Sequence, residues 1–514
     1  MNNDMHYLHT LFETTPRSFA DLGYDDLVGS DSLVKRIVDD SRDIQQGDTF
    51  LCMPRASEQA KIFIQSAIDA GAANIIYIGN NYISSSAPCL AVKNMHEAGT
   101  LLRRFYNTQD TATTCIGITG TDGKTSVTWM LREALQRKLG KAWSCGTLGW
   151  VRDESHTMDL GNTTPSLLTL HQLLAAAAAQ HIPALVMEVS SHGIEQQRIA
   201  GLPIHVAVWT TLGHDHLQDH GGFDAYAAIK KRFIQAAGKQ GASVIYNASQ
   251  PNIVTLLEDK QGYLSYGHGL YQDVSMTSST PSADASHMAW EQELPGLIRL
   301  SCRGQEVVAD DIPVGEFHAE NIAAVAQILH GHFDISMTEI VSLLQGMTAP
   351  PGRMQAVASG CWQVYIDYAH TPEALQACLQ SARKLTSGRL LLAFGCGGER
   401  DREKRPEMGR VAAEFADVIW ITSDNPRNER AELIASEIED GISHPYSLEV
   451  HLQLDREQAI AESIAALDKH DTLIIAGKGH EAYMDIAGSR LPWSDLACAR
   501  SFLQQKNSQA LVCA

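Results

Sequence analysis

Ten residues constrain this chain more than any others: Gly117-Ile118-Thr119-Gly120-Thr121-Asp122-Gly123-Lys124-Thr125-Ser126. Thr114 to Thr119 reads as a short buried strand. After Lys124 the apolar residues Val127, Met130, Leu131, Ala134 and Leu135 recur at helical spacing. A glycine-rich turn between strand and helix aims backbone N–H groups and a helix N-terminus at one point, which suits a polyphosphate. Lys124 would meet the terminal phosphates, and the Thr125 hydroxyl can ligate Mg²⁺. The spacing is not the common phosphate-loop form, because Ile118 stands where that motif has its first glycine; the glycines sit at 117, 120 and 123. A structural glycine turn is the alternative reading. The stretch points to ATP.

At 514 residues the chain is too long for one core, and two to four domains are expected. No apolar stretch approaches the roughly 20 residues of a membrane helix, so no membrane insertion is expected. The first residues carry Asp4 and Glu13 without an apolar run, unlike a signal peptide. Ten cysteines without a C-x-x-C pair argue against zinc and against a disulfide framework. Together these features predict a cytoplasmic protein. A net charge of -20 disfavours nucleic acid as a partner. It does not exclude small anionic substrates, which local cation clusters can bind.

Along the chain, Thr49 to Met53 reads as a strand, Ile62 to Ala70 as a helix and Ala73 to Ile78 as another strand. A second α/β block begins near Cys115, with strands at Leu185 to Val189 and Val206 to Leu212 and an Ala-rich helix at Leu167 to Gln180. Ser275 to His287 is Ser/Thr/Ala-rich and reads as a surface excursion. Ala349-Pro350-Pro351-Gly352 is the best linker signal. Beyond it, strands at Val364 to Asp367, Leu390 to Phe394, Val418 to Thr422 and Leu473 to Ala476 alternate with helical patterns such as Pro406 to Phe415 and Arg456 to Leu467. Such alternation implies a mostly parallel sheet with ligands at the strands' C-terminal ends. The expected domains are 1–107, 108–349 and 350–514.

Several strands end in polar clusters. Leu185-Val186-Met187 leads into Glu188 and then Ser190-Ser191-His192-Gly193, and a carboxylate there could hold Mg²⁺ beside a phosphate loop or be an ordinary strand-end acid. His214-Asp215-His216 with His220 suggests a cation site or a surface histidine cluster; with ATP implied, Mg²⁺ suits it better than zinc. Lys230, Lys231 and Arg232 open a helix that reads by itself as a solvated face. In the last block three strands run into Gly395-Cys396-Gly397-Gly398-Glu399-Arg400, Asp424-Asn425-Pro426-Arg427 and Gly477-Lys478-Gly479-His480-Glu481. Chance decoration explains three such strand ends on one sheet edge poorly.

Taken in order, these motifs resemble the Mur ligases, ATP-dependent amide-bond-forming enzymes of peptidoglycan synthesis. The resemblance covers most of residues 110 to 500 and is weaker before 107. It implies three α/β domains: a UDP-sugar-binding N-terminal domain, a central phosphate-loop ATPase domain and a C-terminal Rossmann-like domain. It also implies roles position by position. Glu188 and His216 resemble Mg²⁺ ligands with Thr125, and Lys230 resembles a lysine that the family carbamoylates, so that it could help hold a second Mg²⁺. Lys124, Glu188, His216 and Lys230 would then form the catalytic set. Asn321, Arg353 and Asp367 resemble contacts to the nucleotide. Ser41, Asn162, Thr163, Thr164, Ser190, Gln196 and Arg198 resemble contacts to a UDP-muramoyl dipeptide.

Asp424-Asn425-Pro426-Arg427 is similar to the signature of members that add meso-diaminopimelate. That amino acid ends in a carboxylate beside its second amine, where lysine ends in an ammonium alone. The planar guanidinium of Arg427 can grip such a carboxylate through two N–H bonds, with Arg400 as a second cation and Gly477 and Glu481 taking the distal ammonium. The chain departs from the family's usual asparagine at Asp122, Thr211 and His318, and Ser57 to Lys61 lacks a common Asp-Gly pair. The implied reaction forms an acyl phosphate that the amino acid's amine then attacks. Its partners are small molecules, and no oligomeric state is implied. A folylpolyglutamate synthetase-like ligase, a lysine-adding sister and a phosphate-loop switch ATPase are the alternatives.

Overall fold

A computed structural model describes residues 7–25, 30–53, 57–79, 85–153, 156–213, 220–257, 262–269, 287–358, 361–442 and 448–512. Their contacts gather into two units. The first holds the described residues up to 267 with 287–288 and 324–336, and the second holds 268–269, 289–323 and 337–512.

The first unit begins with a four-stranded parallel sheet, β1 (Ile37–Val38), β2 (Thr49–Cys52), β3 (Asn74–Ile78) and β4 (Cys89–Val92), in sequence order. Side chains alternate across it: Leu51, Ile76 and Ile78 enter one apolar layer, and Phe50, Cys52, Ile75 and Tyr77 the other. Helix α1 (Ser57–Asp69) starts five residues before the expected position. Helix α2 (Met95–Phe105) is capped by Asn94, whose side chain accepts from the Glu97 N–H.

A second sheet follows in the same unit. It contains β5 (Thr114–Thr119), β6 (Trp143–Gly146), β7 (Gly149–Asp153), β8 (His156–Met158), β9 (Ala184–Glu188), β10 (Ile204–Trp209), β11 (Ser243–Asn247) and β12 (Leu264–His268), in spatial order β8-β7-β6-β9-β5-β10-β11-β12. The central strand β5 pairs in parallel with β9 and β10, setting Met187 beside Gly117 and Val208 beside Ile118. Helix α3 (Lys124–Leu139) leaves the end of β5. Helix α4 (Leu167–Ala179) is capped by Ser166, a five-residue helix α5 (Ser191–Glu195) by Ser190, and α6 (Phe223–Lys239) follows. Gly117 is the only residue type this packing admits, because a Cβ would lie 2.8 Å from the Phe233 ring of α6. That close approach brings α6 onto the strand that feeds the glycine turn.

In the second unit an antiparallel meander, β13 (His287–Leu294), β14 (Leu297–Cys302) and β15 (Gln305–Ala309), precedes the first half of helix α7 (Glu316–Gly331). The C-terminal sheet holds β16 (Gln355–Ala358), β17 (Gln363–Ile366), β18 (Leu390–Phe394), β19 (Val418–Ile421), β20 (Glu449–Leu452) and β21 (Thr472–Ile475), in spatial order β16-β17-β21-β18-β19-β20. All pairs are parallel except that of the edge strand β16. Leu390, Leu392 and Phe394 enter one apolar layer and Leu391 and Ala393 the other, so β18 is buried on both faces. Helices α8 (Lys404–Phe415) and α9 (Ala431–Glu439) follow β18 and β19.

Two buried histidines give the fold a pH signature. His171 bonds to the Ala200 carbonyl at 3.0 Å and His318 to the Arg353 carbonyl at 3.0 Å. Burial pushes both imidazoles from 6.5 down to about 4. Between those values the unfolded chain binds more protons than the native one. Stability is therefore full above about pH 6.5 and is lost as pH falls toward 4, by roughly 3 kcal/mol per histidine. Melting temperature should fall as the buffer is taken from pH 7 to pH 5. His171→Gln, which can still donate to Ala200, should flatten that slope for the first unit; an unchanged slope would rule out this origin.

Candidate functional site

The glycine turn closes on itself. Gly120 and Gly123 both have positive φ, at 159° and 83°. A Cβ on Gly120 would collide with the Thr210 hydroxyl, so the loop lies flush against the end of β10. Thr210 Oγ1 donates to the Asp122 carbonyl at 2.5 Å, and Thr211 Oγ1 accepts from the Asp122 N–H at 2.8 Å. Thr211 thus bonds the loop backbone directly. Gly123 caps α3 without a side-chain bond, which leaves the first-turn N–H groups facing the loop's mouth. Lys124 Nζ bends back to the carbonyls of Gly120, at 2.9 Å, and Thr121, at 2.6 Å. Asp122 is exposed, whereas Thr121, Thr125 and Ser126 are buried.

Glu188, at the end of β9, is 2 % exposed. Its Oε2 accepts from Thr125 Oγ1 at 3.0 Å and from Thr147 Oγ1 at 3.2 Å, and its Oε1 accepts from the Thr147 N–H at 2.8 Å. Gly146 has no side chain for a direct reason: a Cβ there would strike the Glu188 carboxylate. An anionic carboxylate and a hydroxyl meeting on the phosphate loop form a hard oxygen donor set, the kind Mg²⁺ takes. His214, Asp215 and His216 lie outside the described residues.

Lys230 corrects the sequence reading. It does not open a helix but sits eighth in the seventeen-residue α6, and at 1 % exposed it is no solvated face. Its Nζ donates to the Gly120 carbonyl at 2.8 Å and lies 4.5 Å from the centre of the Tyr226 ring. The Tyr226 hydroxyl in turn meets Thr121 Oγ1 at 3.1 Å. The residue follows from packing: Phe233, three positions on, presses against Gly117 and turns the same helix face toward the loop.

Beside Glu188 the structure gathers most of the residues expected to hold the dipeptide substrate. Thr164 Oγ1 donates to the Glu188 carbonyl at 2.9 Å and meets Ser190 Oγ at 3.1 Å. Arg198 donates to the Thr164 carbonyl at 2.6 Å and through Nε to Gln196 Oε1 at 3.0 Å. Thr163 Oγ1 meets Thr147 Oγ1 at 3.2 Å, and Asn162 is exposed next to it. Ser41 begins a short 3-10 helix in the N-terminal lobe and makes no hydrogen bond to this group among the described residues. Two residues earlier, Asp39 bonds Ser166, and burial raises its carboxyl above the usual range.

Within the second unit, His318 stands one turn before the buried Asn321 on α7 and bonds the Arg353 carbonyl. Asp367 accepts from the N–H groups of Met354 and Ala369, each at 2.7 Å. Burial raises its carboxyl, and Arg353 opposes that rise. The Arg353 guanidinium lies 4.7 Å from the centre of the Tyr368 ring.

The three C-terminal strand ends do converge. Asn425 Nδ2 donates to Glu481 Oε2 at 2.8 Å, while Asn425 Oδ1 accepts from Lys478 Nζ at 2.9 Å and from the Asp485 N–H at 2.9 Å. Lys478 also reaches Glu481 at 3.0 Å and Asp424 at 3.4 Å. A Cβ on Gly477 would meet Asp424 Oδ2 at 3.0 Å. After the buried Pro426, Arg427 adopts φ 52°, and its Nη1 donates to the Gly398 carbonyl at 2.6 Å. Arg400 is exposed on the neighbouring loop.

Sequence reasoning overlooked Thr147, Tyr226, Thr210 and Lys478 as site residues. Lys478 carried a signal, since it lies between two glycines in a quoted strand end. The others are ordinary residues that only the fold brings to the loop.

Residues 118–329 match the Mur ligase middle domain and residues 352–479 the Mur ligase glutamate ligase domain. Among curated relatives, a UDP-N-acetylmuramoyl-L-alanyl-D-glutamate--2,6-diaminopimelate ligase of Ectopseudomonas mendocina is 35 % identical, over 92 % of this chain and 95 % of its own length. One of Coxiella burnetii is 34 % identical over 92 % and 96 %. A solved ligase of the same name is 27 % identical, with a TM-score of 0.69 over 96 % of this chain and 100 % of that one. The MurF ligase of Thermotoga maritima, solved with ADP, shares the fold at 16 % identity, with a TM-score of 0.59 over 92 % and 98 %. Glycine turn, buried strand-end glutamate, lysine-bearing helix and three converging C-terminal strand ends therefore occur here in a chain that belongs to the Mur ligase family.

Proposed function

We propose that this chain is the ATP-dependent ligase that joins meso-diaminopimelate to UDP-N-acetylmuramoyl-L-alanyl-D-glutamate in peptidoglycan synthesis. The observation that carries the substrate choice is the Asp424 to Arg427 strand end. There Lys478 and Glu481 hold the Asn425 side chain, and a left-handed Arg427 carries the guanidinium. The names borne by relatives at 33 % to 36 % identity support the same reading.

The loop N–H groups and Lys124 hold the ATP phosphates. Thr164, Ser190, Gln196 and Arg198 hold the acidic substrate beside Glu188, so that its carboxylate faces the γ-phosphate. Asn321, Arg353 and Asp367 serve the nucleotide. Thr125 and Glu188, with His216 and a carbamoylated Lys230, would hold Mg²⁺, which supplies charge neutralisation during phosphoryl transfer. The substrate carboxylate attacks the γ-phosphorus, the bond to the bridging oxygen breaks and ADP leaves. The neutral amine of diaminopimelate then attacks the resulting acyl phosphate, giving the amide and phosphate with loss of the amine proton. Holding three reactants in line supplies much of the rate. The domains are assigned as 1–107, 108–349 and 350–514. No helix among the described residues is long and apolar enough to cross a membrane, and the nucleotide substrates assign the protein to the cytoplasm.

The test offers ATP, Mg²⁺ and the UDP-muramoyl dipeptide with either diaminopimelate or lysine and weighs the product. A mass gain matching diaminopimelate alone is expected. Ligation of lysine instead would overturn the substrate choice. Phosphate release without both co-substrates would favour a switch ATPase.

A further inference from the structure

We propose that Arg405 is a positioning residue for the amino-acid site, fixing the spacing between the loop that carries Arg400 and the loop that carries Arg427. The proposal rests on the diaminopimelate reading above.

Arg405 is the second residue of α8, and its side chain is 0 % exposed. It makes no hydrogen bond to either candidate substrate arginine among the described residues. Its guanidinium instead ties three segments together. Nη2 donates to the Gly397 carbonyl at 3.2 Å, three residues before Arg400. Nη1 and Nη2 donate to the two oxygens of Glu429, at 3.0 Å and 3.1 Å, two residues after Arg427. Nη1 also donates to Glu437 of α9 at 2.6 Å.

The clasped loops are themselves pressed together. The Gly398 N–H donates to the Asn425 carbonyl at 2.9 Å, and Arg427 donates back to the Gly398 carbonyl. A Cβ on Gly398 would collide with the Pro426 carbonyl. Glu429 also accepts from the Glu399 N–H, and Asn428 Nδ2 donates to Glu399 Oε1 at 2.9 Å. Glu399 and Arg427 both hold left-handed backbone, at φ 54° and 52°. Non-glycine residues keep that conformation only where their surroundings enforce it. The Arg405 bonds, foremost, and the Glu399 N–H pull the Glu429 carboxyl down to about 2, so the clasp stays charged at any working pH.

Stability alone is a poor explanation for this arrangement. A buried ion network gains little over well-packed apolar residues, and the Arg405 Nε–H is buried with no hydrogen-bond partner among the described residues. What the guanidinium does that an apolar side chain cannot is reach a backbone carbonyl on one loop and a carboxylate on the other at once. A lysine gathers its three N–H donors on one atom and lacks the planar fork, so it cannot pair with both Glu429 oxygens while also holding the Gly397 carbonyl and Glu437.

The test compares wild type, Arg405→Lys and Glu429→Gln by steady-state kinetics with each substrate varied in turn, alongside thermal melting. Arg405→Lys should raise KM for diaminopimelate about tenfold or more and narrow the preference for diaminopimelate over lysine, with KM for ATP changed less than about twofold. Glu429→Gln keeps the buried arginine and should shift the same KM in the same direction, so the proposal stays testable if the lysine variant does not fold. Unchanged KM for diaminopimelate in the folded variants would overturn it. So would a rise of all three KM values together with a lower melting temperature, the mark of a merely structural role. Wild-type enzyme that ligates lysine and ignores diaminopimelate overturns the substrate reading instead, and shows this before any variant is made.

Discussion

Lys124→Ala should cut substrate-dependent phosphate release at least ~10³-fold, about 4 kcal/mol of transition-state stabilisation, with little change in melting temperature. The expectation comes from where the charge sits. Lys124 Nζ rests on the carbonyls of Gly120 and Thr121, at the mouth of a helix whose first-turn N–H groups have no side-chain cap. A terminal phosphate bound there gains a cation already held in place. Lys230 approaches the same Gly120 carbonyl from α6 but is buried against Tyr226. Lys230→Ala should likewise abolish coupled phosphate release, and it should cost stability too, because it empties a packed position. The two variants are separated by melting curves. A Lys230→Ala enzyme that turned over like wild type would remove the carbamate role while leaving the phosphate loop intact. Carbon-13 bicarbonate with NMR of the carbamate carbon tests that modification independently.

Much of this architecture was legible before any coordinates, for identifiable reasons. Leu390 to Phe394 is bounded by turn residues and buried on both faces, so its strand matched to the residue. The strand expected at Val206 to Leu212 runs instead from Ile204 to Trp209. Beyond Trp209 the regular ladder ends, although the Thr210 N–H still donates to the Thr119 carbonyl, and Thr210 and Thr211 turn their hydroxyls to the phosphate loop. Apolar pattern does not distinguish a strand's last residue from the first residue of its functional exit. Lys230 was misplaced for a related cause. Lys230-Lys231-Arg232 looks like one charged face, yet a helix turns about 100° per residue and sends the first of the three inward. The Glu429–Arg405–Glu437 clasp left no trace in spacing, since its members lie 24 and 32 residues apart and meet only through tertiary packing.

Arg427 should decide which amino acid is used. Its Nη1 is committed to the Gly398 carbonyl, and its other guanidinium nitrogens make no further hydrogen bond to the described residues. The backbone is pinned on both sides: the Arg427 N–H donates to the Asp485 carbonyl at 2.9 Å and the Ala487 N–H to the Arg427 carbonyl at 2.8 Å. The side chain is therefore presented from a fixed base, the condition for selective recognition of a planar carboxylate. Removing a charge-assisted pair of this kind costs about 2–4 kcal/mol, so Arg427→Ala should lower kcat/KM for diaminopimelate by roughly 30- to 10³-fold. Lysine offers no distal carboxylate, and its kcat/KM should change far less or rise, because a half-buried cation no longer opposes its ammonium. Arg427→Lys separates charge from geometry: it keeps the cation but loses the fork, and it should recover only part of the loss. KM for ATP should stay within about twofold in both variants, since the phosphate loop belongs to other residues. Equal losses for diaminopimelate and lysine would show that Arg427 supports the fold of the site rather than reading the substrate's far end.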